Sequence, residues 1–398
     1  MVSVEEASDI VFSNLFQSKP EGVPLTEAAG RVLGETIHAD RDFPPFDRVA
    51  MDGLAIRFDE WQSGRKTFDI EGVQAAGQGT STLKNTQNGI EVMTGAVLPA
   101  GTDTVIRYED LEIRDKAATI KIDSILKGQH VHRQGTDAGK GGMLLEPYSI
   151  ISPAEIALMA SIGKSTVSVL SFPKAAIISS GDELVDIDKV PALHQIRRSN
   201  TYALESAMNV QGWKGTQFHL QDEKDQIASS LKQILAGHDV LIISGGVSKG
   251  KFDFIPEALE ACGVRKLFHQ VSQRPGKPLW FGTSSNGKVV FALPGNPVST
   301  YMCFYRYILP WLWKSLGAEV GKKQAILARD FSFAPPLTYF LQVSIKNENG
   351  KLMAYPDAGG GSGDFANLKK VDGFMELPLS KEKFSAGEAY PYFSFRTR

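Results

Sequence analysis

The sequence predicts a multidomain α/β protein: a doubly wound α/β domain flanked by a strand-rich N-terminal portion and a small C-terminal β-barrel. Three observations carry this. Between residues 173 and 316, short apolar runs alternate with helical stretches, as strand–helix repetition around a parallel sheet requires. Residues 57–139 and 319–398 instead show short alternating segments separated by turn residues, the period of half-buried strands. At 398 residues the chain exceeds one typical core, and roughly two to four domains are expected.

Residues 3–18 predict an amphipathic helix, capped by Ser3, with Val4, Ile10, Val11 and Leu15 roughly on one face. Residues 24–33 read as a short strand and a turn of helix, closed by Gly34. The stretch DFPPFDRVAMDGLAI, 42–56, has two prolines and a glycine ahead of apolar residues, which predicts a fixed loop before a strand. Its carboxylates, Asp47 and Asp52, suit Asx turns as well as a site. In the β module that follows, Thr94-Gly95 presents a hydroxyl and an exposed N–H at a strand end. His130 and His132 share a face if that segment is a strand, but no third ligand stands at a metal-site spacing. Ser152-Pro153-Ala154-Glu155 has the cap, first-turn proline and glutamate of a helix start. A strand over 167–170 follows.

From 174 the strand–helix alternation begins. A strand over 174–179 leads into Asp182 and Glu183, two carboxylates that suit Mg²⁺ ligation or helix capping. A helix over 202–211 opens at Ser199-Asn200-Thr201. A strand over 216–220 ends near Asp222, and a helix over 227–235 follows. Three apolar runs, 239–244, 266–271 and 288–292, then read as buried strands in successive βα units. Each is followed by a distinctive loop, and ligands of open α/β sheets bind outside the carboxyl ends of the strands.

In the first loop, Gly245 and Gly246 let N–H groups approach a ligand and Ser248 adds a hydroxyl. The second, RPGKP, carries Arg274 and Lys277 on a stiff loop closed by Pro278. The third, PGNPVS, turns into a helix near Pro297, with Ser299 in its first turn. Asp253 stands beyond the first loop as a metal carboxylate. Each loop alone suits an ordinary turn. Together they predict a phosphorylated or oxyanionic ligand with Mg²⁺. In the C-terminal segment, DAGGGSG at 357–363 is a flexible loop or an oxyanion wrap with one hydroxyl, Ser362.

The formal net charge of −2 leaves no basic excess for nucleic acid, so any anion site must be local. The two cysteines, Cys262 and Cys303, sit in apolar helical patterns and read as reduced core residues. The N-terminus lacks the cationic start and apolar core of a signal peptide. No run reaches the about 18 apolar residues of a membrane span. A cytoplasmic protein without membrane contact is expected.

PFDRVAMDG, MTGAVLP, ISSGDEL, SGGVSKGKFDF, RPGKP and LPGNPVS stand in one order along the chain. In these strings, and from about residue 3 to 396, the sequence resembles the molybdopterin molybdenumtransferase family, whose animal relative is the C-terminal domain of gephyrin. The resemblance implies a homodimeric enzyme of molybdenum cofactor biosynthesis. It would insert molybdate into adenylylated molybdopterin with Mg²⁺-dependent release of AMP. It implies a helix at 1–22, a discontinuous domain of 23–42 and 140–171, an inserted β-rich domain at 43–139, the α/β domain at 172–318 and the barrel at 319–398.

For the site, the resemblance implies Asp52, Thr94 and, in the RQGTD turn, Asp137, contributed across the cleft by a partner subunit. Arg274 and Lys277 supply charge. Gly245, Gly246, Ser248, Pro278, Ser299 and Ser362 hold pterin substrate and oxyanion. Glu183, Asp222 and Asp253 hold Mg²⁺. The adenylyltransferase of the preceding step and molybdoenzymes or their chaperones are implied partners. The sequence departs from the family at Gln270, often basic there, and over 337–342, where an arginine-bearing string usually faces the oxyanion. Those losses suit a molybdopterin-binding carrier or scaffold without turnover; the lack of a long interaction linker speaks against it. A molybdopterin adenylyltransferase-like enzyme, or a nucleotide amidohydrolase of related fold, is the other alternative. The N-terminal module with Asp52 and Thr94 speaks against an adenylyltransferase.

Overall fold

The computed structural model describes residues 1–247, 254–319, 321 and 323–396; Ser248 and Asp253 lie outside the described residues. The chain forms two compact units, Glu35–Pro147 with Pro153–Ser165, and Met1–Gly34 with Tyr148–Ser152 and Thr166–Arg398.

The smaller unit is built on a six-stranded sheet in the order Thr104–Arg107, Gly53–Ile56, Gly89–Val92, Thr67–Gln74, Ala117–Ile120, Leu111–Arg114. Its period of two fills both faces: Leu54 and Ile56 join Phe68, Ile106 and Leu111, while Ala55 joins Ile90, Val92 and Val105. Gly53 is required by close approach, because a Cβ there would lie 1.8 Å from the Ile106 carbonyl oxygen. Val131–His132 pairs antiparallel with Arg48–Val49, but His130 has φ of +57° and stands outside the strand. The two histidines therefore do not share a strand face. Among the described residues no cluster of metal-ligating side chains occurs.

The larger unit opens with α1 (Val4–Phe12), whose Ser3 and Glu6 form a reciprocal capping box. The predicted helix thus starts as read and stops about two turns early. Six strands form the central sheet: β1 (Ala175–Ser180), β2 (Gly215–Leu220), β3 (Val240–Ser244), β4 (Val264–His269), β5 (Trp280–Ser284) and β6 (Val289–Leu293). Their order is β2-β1-β3-β6-β5-β4, with the first four parallel and β5 antiparallel to both its neighbours. Residues 280–284 were not read as a strand from the sequence. Their pairing replaces the expected middle βα unit by a strand, a loop and a hairpin, so the three loops do not follow three successive βα units. Because β4 and β6 run the same way, their loops still emerge at one end of the sheet.

Alternate residues of the parallel strands fill both layers. Ile177 and Ile242 pack with α1, α2 (Asn200–Val210) and α5 (Leu309–Ser315), and Ile178 and Ile243 with α3 (Lys224–Gly237) and α4 (Ile255–Ala261). The last segment closes a five-stranded barrel from β7 (Lys323–Leu327), β8 (Thr338–Glu348), β9 (Lys351–Pro356), β10 (Gly373–Leu377) and β11 (Ala389–Ser394). The ring closes through β8–β10 pairing, which removes its edges. Gln273–Arg274 pairs with Thr338–Tyr339, tying the RPGKP loop to the barrel. Among the described residues no helix is long and apolar enough to cross a membrane.

Candidate active site

Two cavities lie at the carboxyl ends of the parallel strands and share Pro278, Pro294 and Asn296 as a wall. The first, about 460 Å³, is lined by the ends of β1, β3 and β6, by Glu183 and Asp222, and by the start of α2. Gly245 and Gly246 both take φ above +60°, and a Cβ on Gly245 would lie 2.9 Å from the Ser180 carbonyl oxygen. Only glycine lets this loop lie so close to the end of β1. Ser180 donates to Asp222 Oδ1 at 2.9 Å, orienting that carboxylate. Asp182 accepts from the Asp222 N–H at 3.0 Å, so it holds the turn while its neighbour Glu183 lines the cavity.

The start of α2 adds groups that the sequence reading passed over. Asn200 donates to Ser244 Oγ at 2.8 Å and to the Gly295 carbonyl at 2.7 Å, stitching two of the loops together. Arg197 and Arg198 line the same cavity, Arg198 paired with Asp186 at 2.9 Å. Thr201 is fully buried, and its hydroxyl finds no partner among the described residues. Two adjacent arginines just ahead of a helix start are a signal for an anion in a near-neutral chain.

The second cavity, about 600 Å³, is lined by Arg274 and Lys277 on one side and by Gly359–Ser362 and the barrel residues Leu337, Tyr339 and Gln342 on the other. Neither cation forms a salt bridge among the described residues; the Arg274 guanidinium lies 6.0 Å from the Phe333 ring centroid. Ser299 is buried in the wall. Asn296 donates to Ser362 Oγ at 2.7 Å, which leaves the Ser362 proton free to donate elsewhere. Gln273, fully buried, holds the loop from beneath: it donates to the Gly276 carbonyl at 2.9 Å and accepts from Tyr307 at 2.5 Å. Of the two departures from the expected pattern, Leu337 falls in the cavity wall. Gln270 instead sits where β4 ends, its N–H donating to the Leu279 carbonyl.

The remaining predicted residues belong to the smaller unit. Asp52 Oδ1 accepts from the Thr94 N–H at 2.6 Å and from its hydroxyl at 2.8 Å. These two bonds, the backbone one first, hold the Asp52 carboxyl below its usual range. Asp137 lies 2.9 Å from His132 Nε2. Asp47 accepts from Arg133 and from the Gln134 N–H, so it fastens the turn that carries Asp137. The structure thus pairs Asp52 with Thr94. Glu183 and Asp222 share one cavity, and Arg274, Lys277, Ser299 and Ser362 share the other.

Three family signatures match the chain in succession: the MoeA N-terminal region (domain I and II) at residues 2–163, the probable molybdopterin binding domain at 176–314, and the MoeA C-terminal region (domain IV) at 324–395. The molybdopterin molybdenumtransferase of Synechocystis sp. is 39% identical over 399 residues, covering 99% of this chain and 100% of that protein. That of Bacillus subtilis is 30% identical, covering 97% and 92%. A crystal structure of the molybdopterin biosynthesis MoeA protein from Pyrococcus horikoshii superposes with a TM-score of 0.84 at 26% identity, covering 98% of this chain and 99% of that one. Matched from end to end by sequence and by fold, the chain belongs to the MoeA family of molybdopterin molybdenumtransferases.

Proposed function

We propose that this chain inserts molybdate into adenylylated molybdopterin, with Mg²⁺-assisted release of AMP. The observation that supports this best is the pair of cavities with a common wall. One offers carboxylates, hydroxyls and glycine N–H groups; the other offers two hydroxyls and two cations that have no carboxylate partner among the described residues. A dianion and a phosphorylated pterin repel each other, so holding them in separate pockets, one with free cations and one with N–H donors and metal-binding carboxylates, eases the central electrostatic problem.

In this reading Arg274 and Lys277 neutralise molybdate, and Ser299 and Ser362 orient its oxygens. Gly245, Gly246 and Ser248 contact the phosphates, and Pro278 shapes the passage between the cavities. Glu183 and Asp222, both in the lining of the first cavity, fit Mg²⁺, which takes one or two carboxylates and completes its shell with phosphate oxygens and water. Asp253 is the third proposed ligand. When bound, Mg²⁺ neutralises charge on the diphosphate and eases departure of AMP. The orphan Thr201 hydroxyl suits a further phosphate contact. Asp52, Thr94 and Asp137 complete the site from a partner subunit of a homodimer. Placement of the reactants carries more of the rate than proton transfer, because dithiolene sulfurs are already strong nucleophiles. A cytoplasmic setting, with the preceding adenylyltransferase and molybdoenzymes or their chaperones as partners, goes with this role.

Asp222→Ala tests the assignment. It should abolish Mg²⁺-dependent AMP release while the circular dichroism spectrum stays native. Full release in the variant would remove Asp222 from the metal site.

A further inference from the structure

His132 bridges a cation and a carboxylate at the entrance to the turn that carries Asp137. Its ring lies between Arg48, whose Nη2 is 3.2 Å from Nδ1, and Asp137, whose Oδ1 is 2.9 Å from Nε2. A guanidinium only donates, so Nδ1 must accept and the ring proton must sit on Nε2, where it donates to Asp137. The three side chains form a directed relay, Arg48 to His132 to Asp137.

The backbone frames it. His132 and Arg48 are register partners in a two-stranded ladder. The following turn is pinned separately: Arg133 and the Gln134 N–H bind Asp47, and the Asp137 N–H donates to the Phe43 carbonyl at 2.8 Å. These contacts fix where Asp137 starts but leave its exposed carboxylate free to rotate. Of the neighbouring cations in sequence, Arg133 is occupied by Asp47, and Lys140 forms no salt bridge with Asp137 among the described residues. Among the described residues only the His132 contact holds the carboxylate, and it uses one oxygen.

We infer that His132 is a positioning residue that holds Asp137 in one rotamer, with its other carboxylate oxygen presented as a fixed acceptor for an N–H donor of the bound pterin. The inference rests on the proposed role of Asp137, but the relay itself is testable without catalysis.

Imidazole nitrogen NMR on the full chain, with the His132 signal assigned by its loss in His132→Gln, reads the tautomer. Protonated Nε2 with an unprotonated, accepting Nδ1 is expected; a proton on Nδ1 overturns the relay. In molybdate-dependent AMP release, His132→Ala should lower kcat/KM about fivefold, an exposed charge-assisted bond being modest. His132→Gln, whose amide nitrogen stands in for Nε2, should restore most of that loss. His132→Ala should add nothing to Asp137→Asn, since it acts through that carboxylate. Losses that multiply in the double variant, or a glutamine no better than alanine, overturn the inference. If the unaltered chain releases no AMP with molybdate, the insertion reading fails, and the nitrogen spectrum still decides the relay.

Discussion

Gln273→Leu separates the support of the oxyanion loop from its stability. The substitution keeps most of the side-chain volume but removes both polar atoms of a fully buried residue. Tyr307 then holds a buried O–H without an acceptor, and the Gly276 carbonyl loses its donor. The carbonyl borders a cavity that water can enter, so the tyrosine carries the main penalty. An unsatisfied buried group together with a lost bond costs about 2–4 kcal/mol. For a unit of this size that corresponds to a fall in Tm of roughly 5–10 °C. Adding Tyr307→Phe removes the orphaned hydroxyl, so the double variant should recover to within about 1 kcal/mol of the parent. The loop stays unbraced in both, so the molybdate KM for AMP release should be raised in both. Thermal melts and molybdate titrations of the parent, both single variants and the double variant measure this. Additive losses in stability, or a KM that recovers with Tm, would refute the reasoning.

Asn296→Asp replaces the donor to Ser362 by an acceptor and adds a negative charge at the oxyanion wall, so the molybdate KM should rise by about tenfold or more. Ser362→Ala should raise it less, and an unchanged KM in the aspartate variant would take Asn296 out of the pocket. Glu388 is lowered to about 2 by Lys381 first, then by the Tyr390 hydroxyl and the Ser385 N–H. Its folded value lies below the ordinary 4.5, so its stabilisation is complete above that pH and is lost as pH falls towards 2. Glu388→Gln should therefore flatten the Tm profile of the barrel between those values; an unaltered acid slope contradicts this. Burial pushes the Cys303 thiol up to about 12, whereas Cys262 is only partly buried. A maleimide should label the native protein at Cys262 alone, slowly, and reach Cys303 only on unfolding.

Sequence and structure agree where local chemistry dictates the backbone. Ser3 with Glu6 fixes where α1 begins, alternating residues lay out the barrel strands, and Gly245, Gly246 and PGNP mark the strand ends. What stayed hidden depends on partners far along the chain. Residues 280–284 carry too few β-branched side chains to stand out, and they become a strand because β4 and β6 flank them. Gln273 looks like a polar loop residue until Tyr307 and Gly276 close around it. Asn200 reads as a helix cap, yet its amide joins the ends of β3 and β6. On composition alone Asp47 and Asp52 have equal claims, and it is the family resemblance that selects Asp52. The structure gives Asp47 the turn at 133–134 and Asp52 the Thr94 hydroxyl. Arg197 and Arg198 were readable as charge, but only the fold brings them to a cavity.

The most direct measurement follows AMP release and pterin-bound molybdenum together, with adenylylated molybdopterin, Mg²⁺ and molybdate. Both products should appear, each dependent on molybdate and on Mg²⁺, despite the apolar Leu337 in the oxyanion wall. Tight pterin binding with neither product would contradict the proposed insertion and make the chain a carrier that has lost its oxyanion pocket.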